Sequence, residues 1–160
     1  MQVRDVSHWI NRGTEPVVAL LAAFFTGLLF VSVFSRYVFD ISIVQSVELT
    51  RIAFVWSVFL AASAVVGRDA HIRITFFSDL LPSRAAPILA RLIHLMTLAF
   101  GLAMVWQGWL LVSKMATTTL PALGISQVWL YGGLPVSGVL ICLHALCRVI
   151  DPLAPAEAKA

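Results

Sequence analysis

The hydrophobic run from Leu49 to Gly67 constrains this chain more than any other stretch. At about 1.5 Å per residue it covers roughly 29 Å as a helix, close to the thickness of a bilayer's hydrocarbon core. Glu48 and Arg51 stand at its entrance, and Arg68, Asp69, His71 and Arg73 follow its exit. It reads as a membrane span with a polar collar at each end.

With three further runs of the same kind, the spans fall at about 16–39, 47–67, 86–113 and 127–148. With 60% hydrophobic and 12% charged residues, the chain lies outside the soluble globular range. The polar ends, Met1 to Glu15 and Pro152 to Ala160, are too short to bury a core of their own. The expected fold is therefore an all-α integral membrane protein, residues 1–160 forming a single membrane domain of four transmembrane helices. The net charge of +3 does not point to nucleic acid, because the basic residues are scattered between apolar spans. Cys142 and Cys147 lack the spacing of a redox pair or a zinc site and read as small packing residues.

Taken in order, Met1 to Glu15 reads as a short segment at the lipid headgroups, with Pro16 in the first turn of span one. The apolar run that follows is too long for a secretory leader and is expected to remain as a span. Ala19, Ala22, Ala23 and Thr26 share one face of it, suited to close helix packing. Only about five residues, Ile41 to Gln45, precede span two, so these two helices form an antiparallel hairpin. In span two, Ala53, Ser57, Ala61 and Ala64 fall in a narrow arc that admits another helix. Residues 68–84 read as an amphipathic segment in the interface plane, with an ordinary polar loop as the alternative. In span three, His94, Thr97, Gly101 and Gly108 share a face and read as a packing seam. Met115 to Ser126 reads as a polar connection, and Pro135 is expected to bend span four.

Orientation follows from the cations. Arg4, Arg12, Arg68, Arg73, Arg84, Arg91, Arg148 and Lys159 total eight on one side, against Arg36, Arg51 and Lys114 on the other. By the positive-inside tendency both termini and the 68–84 segment are expected to be cytoplasmic.

Ionisable groups at membrane depth are where transport or catalysis is sought first, and here they are nearly absent. The charged side chains gather at the two interfaces. Glu48 and Arg51, three residues apart at a helix start, read either as a local ion pair or as a contact for a partner protein. His94 and His144, on different helices, are the one pair able to act as axial haem ligands, which would make the chain a small cytochrome b-type anchor or electron-transfer subunit. Packed, hydrogen-bonded histidines are the plainer alternative. No Ser-His-Asp set, HExxH motif, phosphate loop or intramembrane carboxylate pair is present. By elimination the residues describe a membrane scaffold or accessory subunit, for which no catalysis and no cofactor are expected.

The order of features, Arg36-Tyr37-Val38-Phe39-Asp40, Glu48-Leu49-Thr50-Arg51, Phe54-Val55-Trp56 and Ala70-His71-Ile72, resembles the small membrane subunit of tripartite ATP-independent periplasmic (TRAP) transporters. The chain departs from that pattern at Gln45 and Val47, where the family usually has a tryptophan and a second acidic residue, and at Ala61, where it often has glycine. The resemblance implies a scaffold subunit in the bacterial inner membrane that braces a large TRAP membrane subunit carrying the substrate and sodium sites. It also implies a transient periplasmic substrate-binding protein and sodium-coupled uptake of an organic acid. Membrane lipids are the remaining partner, and no nucleic acid is implied. Arg36, Glu48, Arg51, Trp56, His71 and Arg73 are the residues it marks for partner or structural contacts, with no catalytic, substrate or metal site.

Overall fold

The computed structural model describes residues 3–67 and 86–150. They form five helices, α1 (Val3–Val38), α2 (Val44–Gly67), α3 (Ala86–Met115), α4 (Val128–Tyr131) and α5 (Gly133–Ile150). Four stretches are long and apolar enough to cross a membrane: Asn11–Val38, Val44–Gly67, Arg91–Met115 and Val128–Cys147, the last combining α4 with most of α5. The expected interfacial segment at about 68–84, with His71 and Arg73, lies outside the described residues.

Helix α1 differs from expectation at its start. It is one helix of 36 residues with Pro16 inside it, not in the first turn of the span as expected. At about 1.5 Å per residue it measures roughly 54 Å, well beyond hydrocarbon thickness. Proline removes one hydrogen bond, to the Arg12 carbonyl, while the turns on both sides continue; a long helix tolerates that single loss.

The α1–α2 turn is tight. Asp40 takes a left-handed conformation with φ 54°, which Asp tolerates better than most side chains. The Ser35 carbonyl accepts from the Phe39 and Ile41 amides at 3.1 and 3.3 Å. Within the hairpin, the Ser46 hydroxyl donates to the Ile43 carbonyl at 2.6 Å and lies 2.9 Å from the Ser32 hydroxyl. Deeper along the pair, Phe25 and Phe54 meet edge to face with ring centroids 5.5 Å apart. At the far end, buried Asn11 presses its side-chain amide against Gly67 so closely that no Cβ would fit there.

The helices form a row. Helix α1 packs on α2, α2 on α5 and α5 on α3, whereas α1 and α3 lie at opposite edges. Ala53, Ser57 and Ala64 of the small-residue arc are buried, together with Leu60 and Ser63. On α1 the packing runs against expectation: Ala22 is half-buried, but Ala19, Ala23 and Thr26 are exposed. The α3 seam packs as expected, by close approach. A Cβ at Gly108 would stand 2.9 Å from Pro135 Cδ, one at Gly101 2.8 Å from Cys142 Sγ, and one at Gly138 3.0 Å from the Val105 backbone nitrogen. Only glycine lets these backbones come so near.

Among the described side chains, the buried polar residues are Asn11, Ser46, Ser57, Ser63, Ser137 and His144, with no Asp, Glu, Lys or Arg. Ser57, Ser63 and Ser137 donate to the carbonyls of Phe54, Leu60 and Leu134 at 2.8, 2.7 and 2.9 Å, so their polarity is resolved within their own helices.

Candidate functional site

Between α3 and α4 the chain makes an ordered turn where the sequence reads as a plain polar connection. Thr119 and Ser126 face each other in an isolated antiparallel bridge. The Leu120 amide donates to the Ile125 carbonyl, Gln127 to Thr118, and Gly124 to Leu120, each at 2.8 Å. Pro121 opens the turn with its preset φ, and Gly124 closes it in the left-handed region at φ 67°. Leu120, 4% exposed, anchors the turn in the body of the protein.

The curvature turns two successive amides, at Ala122 and Leu123, toward one point. Glu48, in the second turn of α2, brings its carboxylate there. Ala122 N–H donates to Oε1 at 3.0 Å and Leu123 N–H to Oε2 at 2.9 Å. Successive amides in a tight turn make a concavity suited to an anion, and here the anion is supplied by the chain itself. Glu48 thus directs both oxygens at the turn, while Arg51 on the same helix is exposed. Of the two readings of this pair, ion pair or partner contact, the first gives way to the turn, because two fixed amides hold a carboxylate better than one flexible guanidinium at an open surface.

Eight residues further along α2, roughly 12 Å at helical rise, Trp56 makes a second attachment. Its indole Nε1–H donates to the Trp129 carbonyl at 2.7 Å. That carbonyl is available because the fourth span breaks at Gly132. Pro135 has no N–H for the Tyr131 carbonyl, and its ring conflicts with that same group, so the interruption falls just upstream, at Gly132. The last contacts around it are Gly132 N–H to Val128 O at 2.8 Å and Val136 N–H to Gly132 O at 3.4 Å. Without side chains, Gly132 and Gly133 leave a flat place for the Trp56 ring; a Cβ on either would lie 3.4 Å from it. The expected bend is thus a break in which a tryptophan is seated.

Glu48 and Trp56 therefore clamp α2 to the connection between α3 and α5 at two points. Arg36, Arg51 and Lys114 stand exposed around the same end of the row, with Asp40. His144 is 1% exposed within α5 and His94 is half-buried on α3. The sequence reading missed Ala122, Leu123 and Trp129, whose contribution is backbone. The one signal available was Pro121-Ala122-Leu123-Gly124, a turn signature whose inner amides need an acceptor.

A row of four membrane-length helices, held at one end by a carboxylate clamp, defines a small multi-pass membrane protein. Residues 25–154 match the family model described as tripartite ATP-independent periplasmic transporters, DctQ component. The chain belongs to this family. It is 27% identical to the sialic acid TRAP transporter small permease protein SiaQ of Vibrio cholerae, over 94% of this chain and 87% of that protein. A putative TRAP transporter small permease protein of Haemophilus influenzae is 24% identical over 94% of both chains. The sialic acid TRAP transporter permease protein SiaT of Haemophilus influenzae is 27% identical over 83% of this chain but only 22% of its own length. The equivalent of this chain is there a minor part of one longer polypeptide.

Proposed function

We propose that this chain is the non-catalytic small scaffold subunit of a sodium-coupled, binding-protein-dependent transporter for an organic acid, bracing the large transport subunit in the bacterial inner membrane. The observation that carries it is that no charged side chain is buried among the described residues of a chain belonging to a transporter family. Moving an ion or an acid across hydrocarbon calls for polar groups facing a bundle interior or a water-filled cavity. In this row buried serines bond their own helices, Trp56 a backbone carbonyl and Glu48 two amides. The sites for solute and sodium then belong to the large subunit, and SiaT supports that partner, since its matching segment continues into a much longer permease chain.

A row suits bracing better than a four-sided bundle would. It offers two broad faces and two edges to lipid and to the large subunit. With the eight cations of the termini and of residues 68–91 on the cytoplasmic side, the clamp and its turn face the periplasm. A substrate-binding protein arrives there to deliver its solute. The buried His144 and half-buried His94 read as packing residues of the row.

The test is reconstitution in liposomes. Solute-dependent sodium uptake is expected with this chain, the large subunit and the binding protein together, and none with this chain alone. Uptake by the chain alone would overturn the scaffold reading.

A further inference from the structure

We propose that Glu48 is a positioning residue: its carboxylate builds the 118–127 turn, and the outward edge of that turn, at Pro121, Gly124 and Ile125, is the surface met by an acid-faced, soluble binding protein. The proposal rests on the reading above that such a protein delivers solute to the complex.

Three observations carry it. First, both Glu48 oxygens are engaged inward, at 3.0 and 2.9 Å from two backbone nitrogens, so the carboxylate is directed at its own chain. Second, the turn has an inner and an outer edge: Leu120 is buried, while Pro121, Gly124 and Ile125 are exposed. Its shape is held from three directions, by the Thr119–Ser126 bridge, by the Gln127 amide on Thr118 and by Glu48. A surface ordered before binding avoids the ordering cost that a loose loop would add. Third, with Glu48 turned inward, the exposed charges at this end are Arg36, Arg51 and Lys114 against Asp40. That excess of cations complements an acidic protein surface and steers its approach.

Glu48→Gln separates positioning from direct contact. Glutamine keeps the size but sets an NH2 group against one of the two amides, which loses its acceptor. The variant is studied in the complex of this chain with its large subunit, with loaded binding protein supplied from outside. Amide hydrogen exchange at Ala122 and Leu123 is expected to rise about tenfold without binding protein present, the effect of losing one charged hydrogen bond. The half-saturating concentration of binding protein is expected to rise about as much, while the maximal uptake rate stays near wild type. Ile125→Glu, which leaves the clamp intact, is expected to raise half-saturation with exchange unchanged.

Higher half-saturation in Glu48→Gln with unchanged exchange would make Glu48 a direct contact and overturn the proposal. Unchanged half-saturation in Ile125→Glu would remove the turn as the docking surface, even if Glu48→Gln failed to assemble. Uptake by the wild-type complex that is independent of binding protein would instead sink the underlying reading.

Discussion

The crossing of α3 with α5 and the junction of α2 with the α3–α4 turn are held by opposite means. At the crossing there is close fit. Gly101, Gly108 and Gly138 bring backbones together, and the Cys142 thiol meets the Leu98 carbonyl only weakly, at 4.0 Å. At the junction a carboxylate and an indole bond three backbone groups directly. In hydrocarbon, lipid tails are as apolar as leucine, so helices associate through fit. Toward the ends, backbone groups released by a turn or a helix break need partners, and side chains supply them. Fit sets how near two helices lie; polar bonds set where a loop sits.

Breaking the crossing should have the largest effect. In Gly108→Leu the new side chain meets Pro135 at once, since even a Cβ would stand 2.9 Å from its ring. Proline cannot shift without moving the α5 start, so α3 and α5 must separate, at a cost of about 3 kcal/mol. Thermal unfolding in detergent micelles measures this. Exchange at Ala122 and Leu123 should change little in that variant while it stays folded, because Glu48 still holds them. Coincident loosening of the turn would show that the two regions are not separable.

Breaking the clamp comes next. Glu48→Ala leaves two amides of a half-buried turn without their acceptor and is expected to lower stability by about 2 kcal/mol. Here the signs reverse: exchange at Ala122 and Leu123 rises, while the α3–α5 crossing keeps its protection. A variant as stable as wild type would mean that water replaces the carboxylate at no cost.

This contrast also explains what the sequence could disclose. Fit between helices leaves residue-level traces, and the seam through His94, Thr97, Gly101 and Gly108 and the arc through Ala53, Ser57, Ala61 and Ala64 are both visible as residues sharing a face at helical spacing. The clamp leaves few, because three of its five groups are backbone and lie 73 to 75 residues from their partners. Glu48 and Trp56 stood out as residue types, but the bonds they make did not. Pro16 misled for a related reason: proline marks a helix start only where the chain before it is not already helical, which local pattern does not decide. The row arrangement was illegible altogether, since small residues show that a face packs but not against which helix; Ala19 and Ala23 carry the right pattern and stay exposed.

The indole half of the clamp should weigh less than the carboxylate. Trp56→Phe keeps an aromatic ring against Gly132 and Gly133 but removes the donor to the Trp129 carbonyl at the helix break. A cost of about 1 kcal/mol is expected, read from thermal unfolding. A change in local mobility should be confined to the α4–α5 break, leaving the Ala122 and Leu123 amides protected. Loosening of those amides as well would make Glu48 and Trp56 one cooperative unit.

The smallest effect is expected at the α1–α2 turn, which joins the comparison as a third case. There the backbone closes the turn largely by itself: two amides converge on the Ser35 carbonyl, and the Ser35 hydroxyl donates to the Ile41 carbonyl at 3.1 Å. Asp40 supplies a conformation, φ 54°, and its side chain is exposed. If conformation is all it supplies, Asp40→Gly should stay within about 0.5 kcal/mol of wild type, because glycine adopts the left-handed region freely but orders less willingly. Asp40→Val should cost about 1 to 2 kcal/mol, because its branched Cβ crowds the following carbonyl. Thermal unfolding of the pair decides it. A loss in Asp40→Gly equal to that of Glu48→Ala would mean that the Asp40 carboxylate, like that of Glu48, holds something in place.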